Sequence, residues 1–204
     1  DDVKVTADGG IKLKDMTIYG NLTIDEDVEN GDVDLEDVTV KGNVYIYAGG
    51  KNTITFKDCD ISGNITAKKT YGSTQVGLSF DSSTASDLDG TLIIQGNGAI
   101  VSGSSATLKK VKVDTSKEVS LNTNVTTLDV TTKTTSLTIN SGRTVNTLNV
   151  SSSAKNSDIT LNGTVKTLNA SGDTKLSGSG TVEKIGGNGT VTNGGNITVK
   201  VETV

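Results

Sequence analysis

The chain has 204 residues, with no histidine, proline or tryptophan, one cysteine, 24 glycines, 3% aromatic residues and a formal net charge of −5. That set excludes histidine-based triads and acid–base pairs, and leaves almost nothing from which to build a zinc site. No apolar run approaches the roughly 18–20 residues of a transmembrane helix, and no basic stripe with interleaved aromatics marks a nucleic-acid surface, so neither membrane insertion nor nucleic-acid binding is expected.

Apolar content is 32%, low enough to raise disorder. Against disorder, most of those residues are Val, Ile and Leu at alternating positions, the pattern of half-buried strands. Residues 1–60 hold 14 acidic and 6 basic side chains, a balance of −8, so the remainder carries +3. The sequence begins at Asp1 without a signal-peptide pattern, as expected of a processed or excised piece of a longer protein.

Along the chain, Ile11–Ile24, Val33–Ile46 and Ile54–Ala67 repeat one phrase. Asp15, Asp37 and Asp58 stand at equivalent places in it, 22 and 21 residues apart, and Gly20-Asn21, Gly42-Asn43 and Gly63-Asn64 follow. Repeats of this length built from short alternating strands predict a solenoid, with three strands and three corners per coil. Gly and Asn are expected at corners for their tolerance of positive φ, and Asn21, Asn43 and Asn64 are expected to stack as an amide ladder. Cys59 occupies the slot of Met16 and Val38, so it reads as a core residue.

Lys68–Lys110 is irregular, and the polar, Ser/Thr-rich stretch Tyr71–Asp89 reads as a longer loop projecting from one corner. Strands resume at Leu92–Ile94. Val125-x-Thr127-Leu128-x-Val130 then recurs at Val145 and Val165, 20 residues apart each time, with Val182 opening a shortened fourth copy. Ile197–Val204 alternates as a last strand. No 3.6-residue apolar stripe persists, so no helix is predicted. The expected fold is all-β: a right-handed parallel β-helix, one domain over 1–204, with sections 1–67, 68–110 and 111–204. Roughly nine rungs would make a rod of about 45 Å.

For chemistry, no nucleotide-binding glycine motif lies between a strand and a helix. Carboxylates remain: Asp15, Asp37 and Asp58 would form a column, read first as turn caps and only second as a cation site. The dense acidic run from Asp25 to Glu36 reads as a solvated corner, with loose Ca²⁺ binding the alternative, since it lacks EF-hand spacing. Asp87-Leu88-Asp89-Gly90 reads as a turn. No catalytic residue, resident metal or cofactor is assigned. Tyr19, Tyr45, Tyr47 and Tyr71 are candidate carbohydrate-binding residues, the first three in outward slots where rings could stack on sugars. Thr127, Thr147 and Thr167 share a phase, but no Thr-x-Thr pair recurs on every rung, as an ice-binding array would require.

The phrase Leu35–Val44, with Val145–Val150 and Leu161–Leu168, resembles the β-helical regions of large surface proteins of Gram-positive bacteria, over roughly residues 11–200. Those proteins often carry S-layer homology domains elsewhere; none is visible here. The resemblance implies a secreted or cell-surface location and a structural role as a stalk or lattice element. An adhesin holding cell-wall or plant polysaccharide on its Tyr face is the alternative, and a carbohydrate-active enzyme using acidic residues the third reading. Self-association through open strand edges is a further expectation.

Overall fold

The computed structural model describes residues 1–7, 9–51, 54–134 and 136–200. The chain forms a parallel β-solenoid of about ten turns, and more than half of it is strand. Every strand pairing is parallel, and the in-register partners follow the sequence repeats. Ile11 lies under Val33 and Leu22 under Val44; farther along, Leu128, Leu148 and Leu168 stack in one column.

Three faces emerge from the register. The first is a continuous stack of ten levels that starts with Val3–Val5, Leu22–Ile24, Val44–Ile46, Ile65–Ala67 and Leu92–Ile94. It continues through the ends of the strands Ala99–Val113, Val119–Val130, Thr144–Val150 and Thr164–Ala170, and closes on Ile185. We number these levels one to ten. The second face runs from Ile11–Leu13 through Val33–Leu35 and Ile54–Phe56 to Leu176. The third holds Ile18, Val40 and Ile61, then Leu108, Val125, Val145, Val165 and Val182.

Alternation sends one side chain in two inward, so the core is a column of stacked aliphatics. Leu22, Val44, Ile65, Leu92, Val111, Leu128 and Leu168 are all fully buried. Burying such a side chain contributes roughly 1.5–3 kcal/mol, which is how a chain poor in apolar residues still holds a core. Phe56 and Phe80 stack on neighbouring turns, with centroids 4.9 Å apart and planes 4° from parallel.

At the corners the roles of Asp and Gly are the reverse of expectation. Asp15, Asp37 and Asp58 carry the left-handed bend between second and third faces, at φ 52°, 53° and 51°. A short polar side chain tolerates that region better than most. Gly20, Gly42, Gly63 and Gly90 do not have positive φ. They are glycines because a Cβ at Gly42, Gly63 or Gly90 would lie 2.5, 2.4 or 2.2 Å from the carbonyl oxygen of the glycine one turn below.

The asparagine ladder is present: the expected side-chain bond joins Asn43 Nδ2 to Asn21 Oδ1 at 3.4 Å, and shorter bonds to the main chain run the length of the ladder. Asn21 Oδ1 accepts the main-chain N–H of Asn43 at 2.9 Å, Asn43 Oδ1 that of Asn64 at 2.9 Å, and Asn64 Oδ1 that of Thr91 at 2.8 Å. Each amide therefore satisfies a corner N–H that no strand partner reaches.

The segment Tyr71–Asp89 corrects the sequence reading most. It is not a projecting loop. Val76–Phe80 is a strand of the second face, Leu78 paired with Ile54 below and Val101 above. A helix follows at Ser82–Asp87, so the expectation of no helix also fails. Asp81 caps it, accepting the Thr84 N–H at 2.8 Å, and also accepts the Asp58 N–H at 2.9 Å. The helix stands in for a third-face strand: the Cys59 N–H is taken by Thr84 Oγ1 at 2.9 Å. Val3–Val5 supplies the first level and this segment completes a full turn, and ten levels are found against the roughly nine expected.

The shortened fourth copy is real, with Val182 paired to Val165 and Ile185 to Leu168. Of the predicted last strand, Thr198–Val199 is a strand, and residues 201–204 lie outside the described residues. No helix among the described residues is long and apolar enough to cross a membrane.

Candidate binding face

The register collects two of the four candidate tyrosines on the outer side of the first face. Tyr45 sits at mid-strand on level three, between Thr23 below and Thr66 above. Tyr47 is the next outward position on the same chain, roughly 6.6 Å along the strand. Both are half-buried. Tyr71 stands at the corner where the chain leaves this face, its hydroxyl donating to the Glu29 carbonyl. Tyr19, 76% exposed, lies at the corner where the chain enters it. The structure thus groups Tyr45 and Tyr47 and leaves Tyr19 apart.

Behind Tyr71 lies a group the sequence reading missed. Lys69 is 1% exposed, and its ammonium donates to Asn30 Oδ1 at 2.9 Å, the Gly49 carbonyl at 2.7 Å and Thr74 Oγ1 at 2.8 Å. It also lies 4.7 Å from the centroid of the Tyr71 ring. Neutral oxygens and a π face hold the cation without a carboxylate. Burial lowers its pKa below the ordinary lysine value. Little in the local sequence marks it, because two of its three acceptors, Asn30 and Gly49, come from the corners of lower turns.

The acidic turn is held by its own backbone and by one lysine. Asp25 accepts the Asp27 N–H at 3.4 Å and pairs with Lys4 at 2.9 Å, a contact that keeps its carboxyl below the usual range. Glu26, Asp27, Glu29, Asn30 and Tyr71 line an open cavity of about 500 Å³. Among the described residues no three Asp, Glu, Cys or His side chains converge as a cation cage, whether in this turn or along the Asp15–Asp37–Asp58 column.

On the second face Glu36 is ringed by lysines: Lys12, Lys14 at 3.1 Å and Lys57 at 3.5 Å. Hydrogen bonds from Lys12 and then Lys14 hold its carboxyl down at about 2. Cys59 is buried, as expected of a core residue, and burial pushes its thiol pKa up. A thiol so placed is inert rather than nucleophilic.

Farther up the first face a groove of about 430 Å³ opens at levels six to nine, walled by polar side chains over a largely apolar lining. One wall is the mid-strand column of Lys112, Asp129, Asn149 and Asn169; the other is Thr131, Ser151 and Ser171. Asn149 Nδ2 donates to Asp129 Oδ1 at 2.7 Å and Asn169 Nδ2 to Asn149 Oδ1 at 2.9 Å, a second ladder, here between side chains. Thr127, Thr147 and Thr167 stack beside it, in the column predicted.

No family model matches this sequence, and no curated protein or solved structure matches it either.

Proposed function

We propose that this chain is a non-catalytic, rigid spacer: a stalk or surface-lattice segment of a secreted or cell-surface bacterial protein. The observation that carries the reading is the unbroken parallel register of the first face over ten levels. In such a stack each turn contacts only its neighbours, and the shared core resists bending. The bacterial surface location rests on the resemblance of the repeat phrases alone. Mechanical and catalytic assays test the role together. Single-molecule pulling along the axis should give unfolding at high force, and incubation with polysaccharides should release no reducing ends. Product release that is lost in an Asp→Asn variant would replace this reading with that of a carbohydrate-active enzyme.

A second reading has one specific observation behind it. Tyr45 and Tyr47 are successive outward positions on one turn, Tyr45 flanked by the small hydroxyl side chains of Thr23 and Thr66 and Tyr47 following just past the strand's end. Rings so placed suit stacking on sugars, and the spacer would then also hold cell-wall or plant polysaccharide. Retention on an insoluble glycan, abolished by Tyr45→Ala with Tyr47→Ala, supports it; retention unchanged by that pair of substitutions refutes it.

A further inference from the structure

We propose that the groove over the first face at levels six to nine is a binding site for an uncharged polyhydroxylated chain, a neutral oligosaccharide lying along the solenoid axis. This deepens the glycan reading above and rests on it for the class of ligand, but its residues are different ones. Asp129, Asn149 and Asn169 repeat one polar position every turn, at about 4.8 Å, with Thr131, Ser151 and Ser171 repeating opposite. A polymer of similar sugar units meets such a periodic wall with similar contacts at each step.

Hydrogen-bonding capacity is left over on the ladder. A carboxamide has two N–H donors and an oxygen with two lone pairs. Asn149 uses one N–H on Asp129 and one lone pair on Asn169. The position above Asn169 is Gly186, which has no side chain to donate to Asn169 Oδ1. The ladder therefore ends on an open acceptor, and Asn149 and Asn169 each keep one free N–H, while Asp129 at its foot only accepts. Opposite, Thr131 donates to Asp114 Oδ1 at 3.2 Å and Ser151 pairs with Ser153 at 2.9 Å, so these two offer lone pairs to a sugar hydroxyl, while the Ser171 hydroxyl has no partner among the described residues and can donate as well as accept.

Charge selects the class of polymer. Lys112 pairs with Asp114 at 3.5 Å, and Lys110 reaches Asp129 at 4.0 Å, so two lysines and two aspartates cancel beside the groove. A uronate chain would bring repeated negative charge to a lining whose one lysine, Lys112, is matched by Asp129. An extended peptide would need a strand edge, and the edges here are consumed by the turns above and below. Val130 and Val150 turn their side chains into the core, leaving their main chain as the floor between the walls.

The test is a titration of the whole ¹⁵N-labelled chain with cellohexaose, xylohexaose and mannohexaose, with hexagalacturonate as the charged control. The proposal expects saturable amide shifts at residues 129–131, 149–151 and 169–171 with at least one neutral probe and weaker or no shifts with the uronate. Asn149→Ala with Asn169→Ala should weaken that binding about tenfold or more. Gly186→Asn guards against a folding artefact: a Cβ there meets only Asn169 Oδ1, at 3.3 Å, so the variant should fold while occupying the open acceptor. It too should weaken binding. No shift in the groove with any neutral probe, or unchanged affinity in both folded variants, overturns the proposal. Binding lost on Tyr45→Ala with Tyr47→Ala but indifferent to the groove variants overturns the groove and leaves the glycan reading standing.

Discussion

Substituting Gly63 by alanine isolates the close approach between turns from every other effect of a glycine. Its φ is not positive, so the backbone itself accepts a side chain. The obstacle is the turn below: the new Cβ would lie 2.4 Å from Gly42 O and 2.7 Å from Asn43 Oδ1. Relief to about 3 Å requires the corner to rise by roughly 0.6 Å, an overpacking cost of about 1–3 kcal/mol. That movement also stretches the Gly63 N–H bond to Gly42 O, now 3.1 Å, and the Asn64 N–H bond to Asn43 Oδ1, now 2.9 Å. Two weakened bonds add about 1–3 kcal/mol, and the stiffer unfolded chain returns about 0.4–1 kcal/mol, leaving a net loss of roughly 1–5.5 kcal/mol. Urea unfolding followed by circular dichroism reads the difference. Gly10→Ala is the control, because a Cβ there meets nothing within 4 Å and its φ is unexceptional. It should change stability by no more than about 0.5 kcal/mol. Equal effects from the two substitutions would refute the stacking explanation of the corner glycines.

Val40 is fully buried between Ile18 and Ile61, so Val40→Asp places an unpaired carboxylate in the core. The cost should be several kcal/mol, lowering the melting temperature by about 10 °C or more; an unchanged value would mean the side chain faces outward. Glu36, held at about 2 against an ordinary 4.5, contributes stability that is complete above pH 4.5 and lost as pH falls toward about 2. Glu36→Gln should therefore flatten the acid limb of stability against pH between those values, and an identical limb would show that the three lysines do not act on it. Lys69, enclosed by Asn30, Gly49 and Thr74, should be the slowest of the lysines to react when the folded protein is treated with an amine acylating reagent and mapped by mass spectrometry. Acylation as fast as that of Lys4 or Lys12 would show that the cage is open.

What the sequence revealed was whatever repeats. In a parallel stack the sequence period is the register, so the Asp15, Asp37 and Asp58 column, the Asn21–Asn43–Asn64 ladder and the Thr127–Thr147–Thr167 column were all legible as spacings. The reason for each corner residue was less legible, because the clash at Gly42 or Gly63 is with an atom about 21 residues away and leaves no local sign. Residues 71–89 hid their structure for two reasons. Gly77 interrupts the alternation of Val76–Phe80, and a six-residue helix is too short to show a 3.6-residue stripe. Lys69 was invisible because two of its acceptors, Asn30 and Gly49, come from other turns, and the near one, Thr74, is an ordinary loop threonine. The candidate face divides the same way. Tyr45 and Tyr47 announce themselves as outward aromatics, while Asp129, Asn149 and Asn169 occupy the unspecified slot of their repeat and gain meaning only when stacked.

The account depends most on the claim that ten turns form one rigid stack. Spin labels at Lys4→Cys on level one and Asn169→Cys on level nine, with Cys59→Val to leave no third thiol, measure it directly by double electron–electron resonance. Eight spacings of the first face place the two positions about 38 Å apart. A single narrow distance distribution near that value, broadened only by the labels, is the predicted result. A broad or multiple distribution would contradict the continuous stack, and with it the spacer role.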